Sequence, residues 1–104
     1  MPTKTYAGHA VDVDAEGYLA SANDWTKETG EAIAAELGVA LTPESWRVID
    51  FVRADFKEQA QTPGLRRISA RTGVGTKEIY ALFPKGPVKL IARIAGTPKP
   101  KSCL

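Results

Sequence analysis

Pro87-Val88-Lys89-Leu90-Ile91-Ala92-Arg93-Ile94-Ala95-Gly96 is the stretch on which the reading of this chain turns. Proline suits the first position of a helix, where its missing N–H costs nothing, and glycine suits the residue that ends one. A helix is expected over 87–95. Val88, Leu90, Ile91, Ala92, Ile94 and Ala95 leave it little polar surface, so it should be well buried. Lys85, just before it, Lys89 and Arg93 are spaced four apart and form one basic ridge pointing toward the C-terminus.

Working back from this helix, Phe83-Pro84-Lys85-Gly86 closes a short helix capped by Thr76 and ending near Leu82. Gly73-Val74-Gly75 separates it from a helix over about 65–72, itself preceded by the breaker Thr62-Pro63-Gly64. Thr42-Pro43 reads as N-cap and first residue of another helix. Its apolar positions Trp46, Ile49, Val52 and Phe56 are three, three and four apart and share a face. A first helix, capped by Asn23 or Asp24, runs to Leu37 and stops at Gly38, with Trp25, Ala32, Ile33 and Leu37 on one side. Both tryptophans are expected as core anchors. Residues 5–20 alternate loosely and turn at Asp14-Ala15-Glu16-Gly17, which reads as a short hairpin or meander. His9 lies there without a second ligand-type neighbour, so no metal site is expected.

The fold class is therefore α+β and mostly helical: a small N-terminal β hairpin or meander packed on about five helices. Residues 1–96 form one domain and residues 97–104 a mobile C-terminal arm. With 43% hydrophobic and 25% charged residues in 104, the chain falls among soluble globular domains of modest core. No apolar run reaches the length of a membrane span and no leader is read at the start, so a cytoplasmic location is expected. The net charge of +2 conceals an asymmetry. Residues 1–62 hold five Lys/Arg against eleven Asp/Glu, and residues 63–104 hold nine against Glu78 alone. A basic C-terminal half points to an anionic partner, or to two solvated faces of opposite sign.

The arm reads Thr97-Pro98-Lys99-Pro100-Lys101-Ser102-Cys103, with Leu104 last. Cys103 is the sole cysteine, so no internal disulfide can form. Pro98 and Pro100 bias the arm toward polyproline geometry, and seven residues at about 3.1 Å each reach roughly 20 Å. That length could carry a sulfur into a partner's recessed site. Lys99 and Lys101 favour the thiolate and the terminal carboxylate opposes it, so activation should come from the partner. The chain offers no resident base for Cys103 and no Cys/His pair of the kind a self-sufficient cysteine enzyme needs. These residues favour a carrier, a sulfurtransferase only in the carrier sense, over a complete enzyme, with an incidental terminal cysteine as the other reading. No cofactor is called for.

Several motifs carry a resemblance. Asp14-Ala15-Glu16-Gly17-Tyr18-Leu19, Trp25, Leu41-Thr42-Pro43-Glu44-Ser45-Trp46, Phe51-Val52-Arg53, Leu82-Phe83-Pro84-Lys85-Gly86-Pro87 and the segment from Ala95 to Cys103 run in order over nearly the whole chain. The sequence resembles the DsrC/TusE sulfur-carrier family. The resemblance implies the β meander on about five helices and a mobile arm whose penultimate cysteine, here Cys103, carries persulfide sulfur. It implies a TusBCD-like donor and an MnmA-like thiouridylase or other acceptor, hence proximity to tRNA, with no membrane. DsrC-type members serve dissimilatory sulfite reductase instead, so a diverged DsrC-like role in dissimilatory sulfur metabolism is the neighbouring alternative. The family's DsrC branch has a second cysteine eleven residues before the terminal one; that position is Ala92 here, which favours the one-cysteine, TusE-like role. The stretch between Arg66-Arg67 and Ile79-Tyr80 reads as several residues shorter than in the family. Partner docking is assigned to Lys85, Lys89 and Arg93, with Lys99 and Lys101 on the arm.

A competing reading comes from residues 68–83, which resemble the helix-turn-helix of TetR-type repressors. On that reading Arg66, Arg67, Arg71 and Lys77 meet DNA phosphates, with Lys85 beside them. No dimerisation domain follows to place two copies on an operator.

Overall fold

The computed structural model describes residues 2–101 of the chain. Strands β1 (Thr3–Tyr6) and β2 (His9–Asp12) pair antiparallel, with Thr3 opposite Asp12 and Tyr6 opposite His9. The two residues between them, Ala7 and Gly8, both have positive φ (52° and 82°), as a tight hairpin turn requires. A bridge from Val13 to Leu19 extends the hairpin into the expected meander. Its turn is tied by the Asp14 carboxylate, which accepts from the amides of Glu16 (2.9 Å) and Tyr18 (3.0 Å). Tyr6, Val11, Val13, Tyr18 and Leu19 face inward and are buried.

Helix α1 covers Lys27–Leu37 and α2 covers Pro43–Gln59. Thr26, not Asn23 or Asp24, caps α1: its hydroxyl accepts from the Thr29 amide at 3.2 Å. Ala22–Asp24 instead form a single 3-10 turn, after which Trp25 is extended. The α2 start is as expected, with Thr42 and Ser45 making a reciprocal capping box at 3.1–3.2 Å. Helices α3 (Leu65–Thr72), α4 (Thr76–Leu82) and α5 (Pro87–Ala95) follow. Gly75 takes the cap position of α4 in place of Thr76. Among the described residues the architecture is thus the α+β arrangement anticipated, two strands and five helices.

Helix α5 lies at the centre, packed on both α1 and α2 and touching α4. Val88, Ile91, Ala92, Ile94 and Ala95 are wholly enclosed, as are Ile49 and Val52 of α2 and Ile79 of α4. Truncating one such isoleucine to alanine typically costs about 2–5 kcal/mol, so α5 cannot shift without loosening the core. The residue that follows it therefore has a fixed starting point.

Candidate functional site

The end of α5 is held by side chains from two other helical segments. The last carbonyls of a helix have no partner within it and must find one elsewhere. Here the Trp25 indole Nε1 donates to the Ile94 carbonyl at 2.7 Å. The Arg53 guanidinium donates through Nη1 to the Ala95 carbonyl at 2.8 Å and through Nη2 to the Ala22 carbonyl at 3.4 Å. Arg53 also stacks on Trp25, 4.0 Å from the ring centroid, a cation–π contact beside a helix C-terminus where positive charge is favoured. Burial lowers the pKa of Arg53 from its ordinary value. The indole fits because two glycines make room for it. A Cβ on Gly30 would come within 2.8 Å of Trp25 Cζ2, and one on Gly96 within 2.6 Å of Trp25 Cδ1. Gly96 also has φ +73°, in the left-handed region that favours glycine.

The arm leaves from this clamp and at first stays on the body. The Thr97 amide donates to the Ala92 carbonyl at 3.0 Å, and Thr97 is fully buried. The Thr62 hydroxyl, itself buried, donates to the Pro98 carbonyl at 2.7 Å. Lys99 pairs with Glu16 of the meander turn at 2.9 Å. Pro100 is buried and Lys101 exposed. Residues 97–100 therefore lie across the end of α2 and the turn at Glu16. Cys103, the expected persulfide site, lies outside the described residues.

The expected basic ridge is unequal. Lys85, with φ 63°, and Lys89 are exposed. Arg93 is half-buried with its guanidinium against Gly17, where a Cβ would stand 2.7 Å from Nη2. The helix-turn-helix shape does form, since Ile68, Val74, Ile79 and Phe83 pack inward from α3, its following turn and α4. Of its four basic candidates, however, Arg67 is committed: its Nε lies 3.0 and 3.1 Å from the two Asp55 oxygens and its Nη2 2.8 Å from one. Asp55 is nearly enclosed, so this pair ties α3 to α2. Arg66, Arg71 and Lys77 are exposed.

Neither the clamp nor the seat of the arm, the contacts of Thr62 and Glu16 with Pro98 and Lys99, is among the site features expected from the sequence. Trp25 and Trp46 do pack on the core edge, but they also wall a cleft of about 230 Å3 with Lys27 and Asp50. Lys27 Nζ sits 5.1 Å from the Trp46 ring centroid. Among the described residues, no group of three or more His, Cys, Asp or Glu is placed to hold a metal ion, and no helix is long and apolar enough to cross a membrane.

Fold and site together define a small α+β domain built to anchor a C-terminal arm on a clamped, buried helix. A family model described as "DsrC like protein" matches residues 5–104, and the chain belongs to this family. It is 36% identical over 106 residues to a protein named sulfurtransferase TusE from Yersinia pseudotuberculosis, covering 95% of this chain and 98% of that one. It is equally 36% identical over 105 residues, with both chains covered in full, to the gamma subunit of dissimilatory-type sulfite reductase from Nitratidesulfovibrio vulgaris. The NMR structure of Allochromatium vinosum DsrC superposes with TM-score 0.85 at 35% identity over 98% of this chain and 97% of that one. The oxidized gamma subunit from Archaeoglobus fulgidus gives 0.84 at 30%, over 99% and 100%. A 105-position alignment that takes in all 104 residues leaves room for a single-residue gap here. The alignment to the Yersinia protein, 106 positions taking in 95% of this chain, instead leaves about seven gap positions here, so the expected shortening has room against one relative and not the other.

Proposed function

We propose that the chain is a persulfide sulfur carrier of the one-cysteine, TusE-like kind, with Cys103 as the carrying residue. The reading rests on one observation above all: likeness over the full chain to sulfurtransferases of this family, in a chain whose sole cysteine stands near the end of an anchored arm. The chemistry balances without an external oxidant. The Cys103 thiolate attacks the outer sulfur of a donor's persulfide, the S–S bond breaks, and the donor cysteine leaves as a thiolate. The sulfane sulfur then moves on by the same step, reversed in role, to an acceptor nucleophile. Ala92 bears on the outcome. It lies fully buried beneath the arm's root, and with no second cysteine in the chain the sulfur has no intramolecular thiol to meet. Transfer, rather than the redox cycle of two-cysteine relatives, follows.

The partners that suit this reading are a TusBCD-like donor and an MnmA-like tRNA thiouridylase, in the cytoplasm, with Lys85 and Lys89 docking an acidic patch and Arg93 bracing the ridge from behind. Intact mass spectrometry tests the core of it. Incubation with a cysteine desulfurase and cysteine should add about 32 Da, one sulfur, to the protein, and Cys103→Ser should abolish the addition. An unmodified wild-type mass with desulfurase and with glutathione persulfide would overturn it.

A further inference from the structure

We infer that Thr62, seconded by Glu16, is a positioning residue for Cys103: by seating Pro98 and Lys99 it sets how far from the body the arm can present its sulfur. This rests on the reading of Cys103 as the carrying residue.

The arm has two reaches. Extended from Gly96, seven residues span at most about 25 Å. With 97–100 seated, only Lys101 and Ser102 stand between Pro100 and Cys103, and three residue steps span at most about 11 Å whatever their conformation. The seat therefore decides between a thiol kept close to the surface of α2 and the meander, and one that can enter a deep site. Its components differ in strength. The Thr62–Pro98 hydrogen bond is short, at 2.7 Å, and its donor is buried. The Glu16–Lys99 pair has both side chains about half exposed (54% and 46%), where ion pairs contribute little and are screened by salt. Proline has no N–H, so the Pro98 carbonyl is the only backbone group that residue can offer, and Thr62 takes it. Thr62 belongs to the loop after α2, with no part in the core helices, so its hydroxyl is spent on the arm. Release opens the Thr62 hydrogen bond and the exposed Glu16–Lys99 pair and brings the buried Pro100 to solvent, while the clamp at Ile94 and Ala95 stays shut. The hinge thus lies between Thr97 and Pro98.

The test reads the seat directly. Spin labels are placed at Lys101→Cys and Glu31→Cys, both exposed positions, in a Cys103→Ser background, and the interlabel distance distribution is measured by pulsed electron spin resonance. A narrow seated population is expected. Thr62→Val should raise the fraction of longer distances roughly fivefold, the effect of one net hydrogen bond. Thr62→Ser, which keeps the hydroxyl, should restore the narrow distribution. Glu16→Gln should broaden it less, and by an amount that vanishes at high salt. A Thr62→Val distribution identical to the parent's, at an unchanged unfolding midpoint, would overturn the inference, as would a parent that is already broad. Persulfidation by glutathione persulfide, measured on Thr62→Val with Cys103 intact, should match the wild type. Its failure in both proteins would sink the carrier reading and leave the seat standing.

Discussion

Gly96→Ala is the substitution on which the anchored-arm account stands most exposed. Two separate costs arise. The residue has φ +73°, and a left-handed alanine costs roughly 1–2 kcal/mol. Its new Cβ would also stand 2.6 Å from Trp25 Cδ1, 2.9 Å from Cγ and 3.0 Å from Cβ. Trp25 cannot retreat without breaking its hydrogen bond to Ile94 and its stacking on Arg53. Overpacking of this kind adds about 1–3 kcal/mol. Gly38→Ala provides the control, because Gly38 has nearly the same φ, +74°, and nothing within 4 Å of its Cβ position. It should suffer the backbone cost alone. In thermal unfolding, where about 1 kcal/mol shifts a domain of this size by roughly 4–8 °C, Gly96→Ala should melt lower than Gly38→Ala by at least about 4 °C. The Trp25 fluorescence of Gly96→Ala should also shift red as the indole is displaced. Equal midpoints for the two variants would refute the claim that Trp25 is a fixed wall at the arm's root.

Charge reversal of the exposed ridge, Lys85→Glu with Lys89→Glu, should slow sulfur transfer between proteins in a salt-dependent way and leave persulfidation by a small donor intact; equal loss of both would refute docking there. Asp55→Asn should destabilise the fold by about 1–3 kcal/mol in urea unfolding, since it strips a bidentate acceptor from Arg67. Lys4 donates to the Glu36 carboxylate and holds its pKa below the ordinary 4.5. Because that pKa is depressed in the folded state, the stability it contributes is present above about pH 4.5 and fades as pH falls through the folded value. Glu36→Gln should therefore flatten the acid limb of stability and lower stability at pH 7 by less than about 1 kcal/mol, a loss that shrinks at high salt for a pair this exposed.

Punctuation in the sequence was the most legible level. Thr42-Pro43, Gly38, the Pro87-to-Gly96 frame and the Gly73-Val74-Gly75 turn all act through neighbouring backbone, so local chemistry suffices to read them. The α1 cap shows where that limit falls. Asn23 and Asp24 are good caps locally, but Trp25 must be extended to reach Ile94, sixty-nine residues away, and the helix begins only at Lys27. The short hairpin turn at Ala7-Gly8 went unread because alanine rarely adopts positive φ. The candidate site divides in the same way. Arm and cysteine are visible as residues in a row, whereas the clamp, the seat and the Arg67–Asp55 pair join positions twelve to eighty-three apart whose contact is decided by the fold. Arg93 looked like a third member of a surface ridge because spacing carries no knowledge of Gly17, whose bare Cα lets a guanidinium lie down.

The side-chain clamp on the carbonyls of Ile94 and Ala95 also works as a datum. With those acceptors filled by Trp25 and Arg53, α5 has no free carbonyl from which to wind another turn, so the helix cannot lengthen into the arm or borrow residues from it. The arm is thereby a ruler with a fixed zero. Each residue inserted or deleted between Gly96 and Cys103 would move the sulfur by about 3 Å, and nothing upstream could absorb the change. Length, as much as chemistry, should then be what an acceptor of matching depth selects.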